Sequence, residues 1–327
     1  MLLNRNETYR ELLVSSIKSD DTEEWLDVHF TRHVGLVMAL VGRRLKVHPN
    51  AITIASMFIG VASGYMFAHA DLMSNIFGIL LLMTANFCDS ADGQLARLTG
   101  QKTDIGRALD GVAGDVWFTA IYIAIIVRLW CQPIPFLTME WGPWIFILTA
   151  ISSLLFHSPQ AGMADYYRQI HLFFLKGREG SELSTSAAQL EAYRNLPQGR
   201  EIVNHIYYKL YANYCRSQEK KTPQFQLFYS RYQSFQDASL RASIRERFLE
   251  GSRPLMKWTN ILTFNCRAIT LYVSFLIGMP YLYLIAEITV FTAIYWHMHR
   301  THERLSSRLT QEISAKEINI NHTNQND

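Results

Sequence analysis

The chain has few cysteines, and none is placed for a disulfide framework or a zinc site. Its 327 residues include four cysteines that lie far apart, without a CxxC pair or a histidine at zinc-ligand spacing. We therefore expect ordinary reduced thiols. The N-terminus lacks a signal-peptide pattern, because the apolar stretch 12–17 is too short for one. The formal net charge is only +3, so net charge alone points to no particular partner.

Long charge-poor segments are the dominant feature of the chain. A bilayer core requires about 20 mainly apolar residues from each spanning helix. Six segments meet or approach that length, at residues 51–69, 72–91, 106–128, 142–162, 259–279 and 280–297. A soluble protein would have to bury all six in one core, so we predict an all-α, polytopic membrane protein with six transmembrane helices.

Lysine and arginine are distributed unequally between the two sides of this arrangement. Basic residues precede the first segment, separate the second from the third and follow the sixth. The loops after the first, third and fifth segments carry essentially none. The positive-inside rule makes the basic side cytosolic. We therefore expect a multi-pass protein of the cell (inner, cytoplasmic) membrane with both termini in the cytosol.

Two polar regions accompany the apolar segments. Residues 22–45 read as a helix capped by Asp21 or Thr22, with its apolar residues near one face, as in a helix lying along the cytosolic interface or packed on the bundle. Residues 163–257 are aromatic and basic, with helix breaks expected near 197–199 and at Thr222–Pro223. Acids are mixed throughout this insert, which favours a cytosolic helical appendage on lipid headgroups over a nucleic-acid surface.

These patterns divide the chain into five parts. We predict a cytosolic N-terminus with the interfacial helix at 1–48 and transmembrane helices one to four with the catalytic motif at 49–162. The helical insert follows at 163–257, helices five and six at 258–300, and a disordered tail at 301–327.

An acidic cluster is the most informative local pattern. Asp89 and Asp92 are three residues apart, so on a helix they project from one face. Asp110 and Asp115 open the next apolar segment, so the two helix ends can bring four carboxylates together. Clustered carboxylates at a membrane boundary repel each other and lose solvation. Hard divalent cations compensate for both effects, so we predict a two-metal site for Mg²⁺ or Mn²⁺; solvated acids at helix ends are the alternative.

Small residues and an arginine accompany the acids. Gly93 and Ala96 lie on the same side as Asp89 and Asp92, which leaves a groove without bulky side chains. Arg97 then offers a planar fork that suits phosphate oxygens. This combination predicts a site for a diphosphate that carries a nucleobase.

The run Asp-x2-Asp-Gly-x2-Ala-Arg-x8-Gly-x3-Asp, from Asp89 to Asp110, resembles the signature of the CDP-alcohol phosphotransferase (CDP-alcohol phosphatidyltransferase) family. The run from Pro49 to Thr53 is similar to the segment that precedes the family's first span. The resemblance implies transfer of a phosphate-linked alcohol from a cytidine diphosphate donor to a hydroxyl acceptor, with release of CMP, by a homodimer. By position it implies three metal ligands, and nucleotide or diphosphate contacts from five residues. The ligands are Asp89, Asp92 and Asp110, and the contacts are Gly93, Ala96, Arg97, Asn50 and Thr53.

The chain departs from the family pattern at its fourth acid. In the family, an aspartate four residues after the third joins the metal site and serves as general base. Here Gly114 occupies that position and the acid is Asp115, which a regular α-helix turns by about 100° from the expected direction. Three interpretations remain open: a π-bulge between Gly111 and Gly114 restores the direction, Asp115 serves without a bulge, or the enzyme is weakened or inactive.

Polar residues in the later segments are candidates for acceptor recognition. The predicted acceptor-binding residues are Arg267, Arg168 and His157. The structural alternatives are that Arg267 pairs with an acid of the cluster and that His157 is a buried histidine with its hydrogen bonds made inside the protein. We predict transfer of a phosphatidyl group from CDP-diacylglycerol, with inositol or inositol phosphate among the candidate acceptors. Transfer of a head group from a soluble CDP-alcohol to diacylglycerol or ceramide is an alternative, and a cation-coupled transporter or a pseudoenzyme is another.

Overall fold

The computed structural model describes residues 8–16, 19, 21–101, 103–196, 202–235 and 237–326. In these ranges the backbone is helical almost throughout, and β-structure is limited to an isolated bridge between Pro133 and Glu140. The predicted all-α class is therefore confirmed. The α-helices in chain order are α1 (Tyr9–Ser16), α2 (Arg32–Arg44), α3 (Pro49–Phe67), α4 (Leu72–Thr99), α5 (Asp104–Leu129), α6 (Gly142–Ala150), α7 (Ser158–Lys176), α8 (Ser186–Arg194), α9 (Ile202–Lys221), α10 (Pro223–Ser234), α11 (Ala238–Ile261), α12 (Phe264–Leu276), α13 (Tyr281–Ala286) and α14 (Thr292–Asn326).

Short segments of other helix types join some of these elements. Three π-helical segments lie at Asp27–Thr31, Ile151–His157 and Glu287–Phe291, and a 3₁₀ turn lies at Arg178–Gly180. The segment Ile151–His157 connects α6 directly to α7, and Glu287–Phe291 connects α13 to α14. The helix break expected near 197–199 lies outside the described residues.

Four helices are long and apolar enough to cross a membrane, and they coincide with the first four predicted segments. They are Pro49–Phe67, Leu72–Thr99, Leu109–Leu129 and Gly142–Lys176. The fifth predicted segment, 259–279, contains the break between α11 and α12. The sixth, 280–297, contains α13, a π-helical segment and the start of α14. The chain is thus helical with four membrane-length apolar helices, and six spans remain a prediction.

The chain divides into two compact units. The first unit comprises Met1–Ser158 and Phe264–Val290, and the second comprises Pro159–Thr263 and Phe291–Asp327.

Close helix packing forms the core of the first unit. A Cβ added to Gly64 on α3 would lie 2.8 Å from the backbone carbonyl carbon of Ala120 on α5, and one added to Gly60 would overlap the Trp117 ring. Small residues allow such close approach between apolar helices. Phe67 and Phe275 pack with ring centroids 4.3 Å apart inside this core.

Helix-capping residues fix the ends of the helices that carry the acidic motif. Pro49 starts α3 at a position that tolerates proline. Gly100 ends α4 with a φ of +69°, a left-handed conformation that favours glycine. Thr103 caps α5 by accepting a hydrogen bond from the Gly106 amide at 2.9 Å. This short connection places the last turns of α4 and the first turns of α5 within one site.

The N-terminal helix differs from the prediction at its start. Helical backbone begins at Trp25, so the predicted start at residue 22, with Asp21 or Thr22 as cap, was wrong. Gly35 on α2 packs against α4, because a Cβ there would lie 2.7 Å from the Ser90 hydroxyl oxygen. Several apolar side chains of this helical segment are exposed, namely Trp25, Phe30, Val37 and Val41.

The second unit contains most of the predicted insert together with α14. One helix ends at Lys221 and the next begins at Pro223, where the sequence predicts a break. Phe174, Phe228 and Phe248 stack in its core, with centroid distances of 5.7 Å between Phe174 and Phe228 and 5.5 Å between Phe228 and Phe248. The helix α14 extends to Asn326, so the tail 301–327, which the sequence predicts to be disordered, is helical in the structure up to that residue.

Candidate active site

Three of the four predicted acids come together in the first unit. Asp89 and Asp92 on α4 and Asp110 on α5 each present a carboxylate oxygen, and these oxygens lie within 4.8 Å of one another. Asp92 is buried, Asp89 is half-buried and Asp110 is exposed. Carboxylate oxygens in such proximity repel unless a cation neutralises them, and they are the ligands that Mg²⁺ and Mn²⁺ prefer. The three residues thus fit a divalent metal ion.

Thr53 lies behind the buried member of this triad. It is 2 % exposed on α3 and donates its hydroxyl hydrogen bond to Asp92 Oδ2. A donor of this kind fixes the orientation of a metal-ligating carboxylate. Asn50, one turn earlier, lies over the start of α5, because a Cβ on Gly106 would be 2.9 Å from its Oδ1. The first turns of α3 therefore support both halves of the triad.

Residues without bulky side chains surround the acids. Positions 111 and 114 on α5 are open, because a Cβ added to either glycine would meet no heavy atom within 4 Å. On α4, a Cβ added to Gly93 would meet only the Arg97 guanidinium, at 3.5 Å from Nη1, and Ala96 is half-buried. The guanidinium thus lies over Gly93, within electrostatic range of Asp92 and Asp110.

A second arginine, which the sequence analysis missed, lies near Arg97. Arg32 precedes it at the start of α2, and the Arg32 backbone oxygen accepts a hydrogen bond from Gln94 Nε2 at 3.2 Å. Its own guanidinium donates to both carboxylate oxygens of Glu23, at 2.8 and 3.1 Å from Nη2. Arg32 and Arg97 lie within electrostatic range of each other. No sequence motif marks Arg32, since its position depends on how α2 packs against α4.

The predicted π-bulge in α5 is absent. The backbone is α-helical from Asp104 to Leu129, so nothing between Gly111 and Gly114 turns the fourth acid back toward the triad. Asp115 follows Asp110 by five residues, which is about 140° around a regular helix. Among the described residues it is not part of the group that could hold a metal ion. Its predicted roles as metal ligand and base remain predictions.

A second polar cluster lies deep in the first unit, around Glu287. This carboxylate is 0 % exposed and accepts hydrogen bonds from five side chains. The donors lie on α5, on the π-helical segment Ile151–His157, on α12 and on α13. The distances are 3.1 Å from Arg267 Nη1, 2.6 Å from His157 Nδ1, 2.7 Å from the Tyr122 hydroxyl and 2.6 Å from the Ser152 hydroxyl, and the Tyr283 hydroxyl is the fifth donor. Two π-helical segments supply Glu287, Ser152 and His157, so the irregular backbone lies at this cluster.

The predicted acceptor residues fall into different environments. Arg267 is 1 % exposed and paired with an acid, as its structural alternative requires, but its partner is Glu287 and not a member of the triad. His157 belongs to the same cluster. Arg168 lies in the second unit, where its Nη2 donates to Asn260 Oδ1 at 3.2 Å. Glu287 was not among the predicted site residues, although it is the only acid between residues 264 and 298 and an acid within an apolar stretch is a functional candidate.

These observations define a helical membrane protein with a carboxylate triad at the junction of two apolar helices. Residues 46–171, which contain the whole triad, match the family model of CDP-alcohol phosphatidyltransferase. The matched segment is less than half of the chain's length, and over that segment the chain is similar to this family. Members are phosphotransferases for substituted phosphate groups and use a divalent metal ion. Neither a curated protein nor a solved structure matches the chain.

Proposed function

We propose that this enzyme transfers the phosphatidyl group of CDP-diacylglycerol to a hydroxyl acceptor and releases CMP. The family match supports transfer from a CDP-alcohol to an acceptor alcohol. The observation that carries the proposal is the triad of Asp89, Asp92 and Asp110, whose oxygens suit a metal ion beside a groove of small residues.

Each predicted site residue has a place in this proposal. Asp89, Asp92 and Asp110 hold Mg²⁺ or Mn²⁺, which when bound neutralises charge on the diphosphate. Gly93 and Ala96 line the groove for the cytidine ring. Arg97 contacts the diphosphate, and its planar fork matches phosphate oxygens. Thr53 orients Asp92, and Asn50 supports the start of α5 next to Asp110.

The transfer exchanges one phosphorus–oxygen bond for another. The acceptor hydroxyl oxygen forms a bond to the phosphorus that carries diacylglycerol. The bridging bond from that phosphorus to the CMP oxygen breaks, and CMP leaves with the bonding electron pair. Asp115 takes the proton of the acceptor hydroxyl as general base, from a position on α5 that faces away from the triad.

The acceptor is a sugar alcohol such as inositol, with or without a phosphate. Arg267 is neutralised by Glu287, so it offers an anionic acceptor little net charge. Arg32 is also paired, with Glu23, but it lies near Arg97 and its side chain is 15 % exposed, whereas that of Arg267 is 2 % exposed. Recognition of inositol phosphate in this chain therefore depends on basic residues near the triad more than on Arg267.

The proposal places the enzyme in the cell membrane with both termini in the cytosol. The apolar segments 259–279 and 280–297 complete six spans, and the exposed apolar side chains of the N-terminal helix lie in the interface. The predicted insert 163–257 lies on the cytosolic side against the headgroups, and the enzyme acts as a homodimer.

The decisive experiment measures CMP release by the purified protein in liposomes with Mn²⁺ or Mg²⁺. CDP-diacylglycerol is offered with glycerol phosphate, serine, inositol or inositol phosphate, and CDP-choline or CDP-ethanolamine is offered with diacylglycerol or ceramide. We expect CMP and a new phospholipid with the first donor, and no product after metal chelation. Turnover only with a soluble CDP-alcohol would reverse the direction of transfer. No CMP from any pair would refute the proposal and favour a pseudoenzyme or a transporter.

Two aspartate substitutions on α4 provide matched controls. Asp92→Asn removes a charge from the triad and should abolish CMP release. Asp71→Asn removes a charge at the opposite end of the same helix, where Asp71 caps it by accepting a hydrogen bond from the Ser74 amide at 2.8 Å. Asparagine also caps helices, so this variant should remain folded and active.

A further inference from the structure

The displaced acid on α5 shares a helix face with residues of the Glu287 cluster. Asp115, Phe118 and Tyr122 follow each other at spacings of three and four residues, which places them on one side of α5. The Phe118 ring lies 4.4 Å from the His157 ring, and the Tyr122 ring lies 5.8 Å from it. The Asp115 carboxylate is within electrostatic range of the His157 imidazole. The one-residue displacement therefore places this acid on the face of α5 whose Phe118 and Tyr122 contact His157.

The contact of His157 with Glu287 is the basis for assigning its tautomer. Arg267 Nη1 also lies 3.3 Å from His157 Nδ1, but it is closer to Glu287 Oε1, at 3.1 Å. His157 Nδ1 lies 2.6 Å from Glu287 Oε1, and an ionised carboxylate only accepts hydrogen bonds. The assigned tautomer thus has the hydrogen on Nδ1, which leaves the Nε2 lone pair as an acceptor. A carboxylate that binds one imidazole nitrogen fixes both the tautomer and the ring orientation.

Glu287 is itself held rigidly. Besides His157, it accepts hydrogen bonds from Ser152, Tyr122, Tyr283 and Arg267, and every one of these residues is buried. Two π-helical segments, Ile151–His157 and Glu287–Phe291, carry members of this cluster. Such segments are frequent at functional sites. A cluster of this kind holds His157 in one orientation.

We propose that His157, oriented by Glu287, is a positioning residue for Asp115 in the transfer reaction. The Nε2 atom of His157 orients the protonated Asp115 carboxyl after it has taken the acceptor's proton, and the bonded Glu287 keeps the imidazole in the required tautomer. The displaced position of Asp115 and the Glu287 cluster thus serve the same proton transfer. This inference rests on the proposed function, because it assigns a role in the same proton transfer.

A double-mutant cycle tests the inference. The substitution His157→Asn keeps an amide donor near the position of Nδ1 for Glu287 and removes Nε2. We expect it to lower kcat by at least about tenfold, up to the 10²–10⁴ that loss of a base costs, with the donor KM and the Mn²⁺ dependence unchanged. The substitution Asp115→Asn should lower kcat further. The double variant should match Asp115→Asn, because residues that act as a unit are not additive. Effects that multiply would show a merely structural role for His157 and overturn the inference.

A register-restoring variant provides an independent readout. Gly114→Asp with Asp115→Ala moves the carboxylate to the open position 114, where a Cβ meets no heavy atom within 4 Å. If this variant turns over, adding His157→Asn should leave its kcat unchanged. A loss of kcat as large as the one that His157→Asn causes in the unaltered protein would overturn the inference. If the variant does not turn over, the double-mutant cycle of His157→Asn and Asp115→Asn decides. Unchanged kcat of His157→Asn in the otherwise unaltered protein would overturn it as well. Absence of CMP release from the unaltered protein refutes the proposed function instead, so the two failures are distinguishable.

Discussion

Thr53 on α3 donates a hydrogen bond to Asp92 on α4 and thereby joins the start of the first apolar helix to the buried acid of the triad. The two residues are 39 positions apart in the chain. Both are nearly inaccessible, with exposed fractions of 2 % for Thr53 and 4 % for Asp92. A buried carboxylate that loses such a partner keeps its cost of desolvation and loses its fixed orientation.

Replacement of Thr53 by valine should therefore weaken metal binding. We expect the Mn²⁺ concentration for half-maximal activity to rise by about 10- to 100-fold, as is typical for loss of a partner of a metal ligand. Thr53→Ser keeps the hydroxyl and should preserve most of the affinity. Thr84→Val is the matched control, because Thr84 is exposed on α4 and its hydroxyl bonds only the backbone oxygen of Leu80. Equal midpoints for Thr53→Val and Thr84→Val would contradict the expected role.

The close packing of α3 on α5 gives a second prediction. A methyl group at Gly60 would overlap the ring of Trp117, which is 2 % exposed and has no space to withdraw. We expect Gly60→Ala to destabilise the protein by about 1 to 3 kcal/mol, as overpacking does in other cores. Thermal unfolding in detergent measures the loss. The control is Gly111→Ala on α5, where nothing lies within 4 Å, and its melting temperature should be equal or slightly higher.

Sequence reasoning located the triad because its determinants are local. Asp89 and Asp92 share a helix face by spacing alone, and the short connection at Gly100 brings Asp110 close. The partner of Thr53 could not be predicted in the same way, because that hydrogen bond depends on how two helices pack. A π-bulge in α5 was one of three interpretations of the displaced Asp115, because two glycines flank the expected site. The structure has π-helical backbone at Ile151–His157 and Glu287–Phe291 instead, where no glycine occurs.

The acceptor side of the site was harder to predict for the same physical reason. Arg267 was visible as the only arginine in a long apolar stretch, and its need for a counter-charge was clear. Its partner Glu287 is 20 residues away, and His157 is 110 residues away from Arg267. Only the packing of α12 and α13 against the α6–α7 connection shows that these three groups form one buried cluster.

The buried pair of Arg267 and Glu287 gives a third prediction. Removal of one partner leaves an uncompensated charge where neither side chain reaches solvent, which typically costs about 3 to 5 kcal/mol. We expect Arg267→Met and Glu287→Gln each to lower the melting temperature substantially, and the double variant to recover part of the loss. The control is Arg308, an exposed residue that pairs with Glu312, and Arg308→Gln should change stability by less than about 1 kcal/mol. Additive losses in the double variant would show that the pair is not coupled.

The second unit contains a histidine whose surroundings predict a pH dependence of stability. His302 is 1 % exposed and packs against the Tyr167 ring in a tilted arrangement, with ring centroids 4.2 Å apart. Its two ring nitrogens have no hydrogen-bond partner among the described residues. Burial, together with the smaller effects of nearby His299 and His171, lowers the pKa of His302 to about 3. The folded protein therefore keeps this ring neutral, whereas the unfolded chain protonates it at its ordinary pKa of about 6.5.

Stability should fall as the pH drops from about 6.5 toward 3, because in this window the unfolded state binds the proton and the folded state does not. One such group contributes at most about 1.4 kcal/mol per pH unit. We expect His302→Leu to flatten the dependence of the melting temperature on pH between 6.5 and 5, since leucine loses no hydrogen bond at this site. His297→Leu, at an exposed position on the same helix, should leave the slope unchanged. Equal slopes for His302→Leu and the unaltered protein would mean that another group dominates the acid sensitivity of this unit.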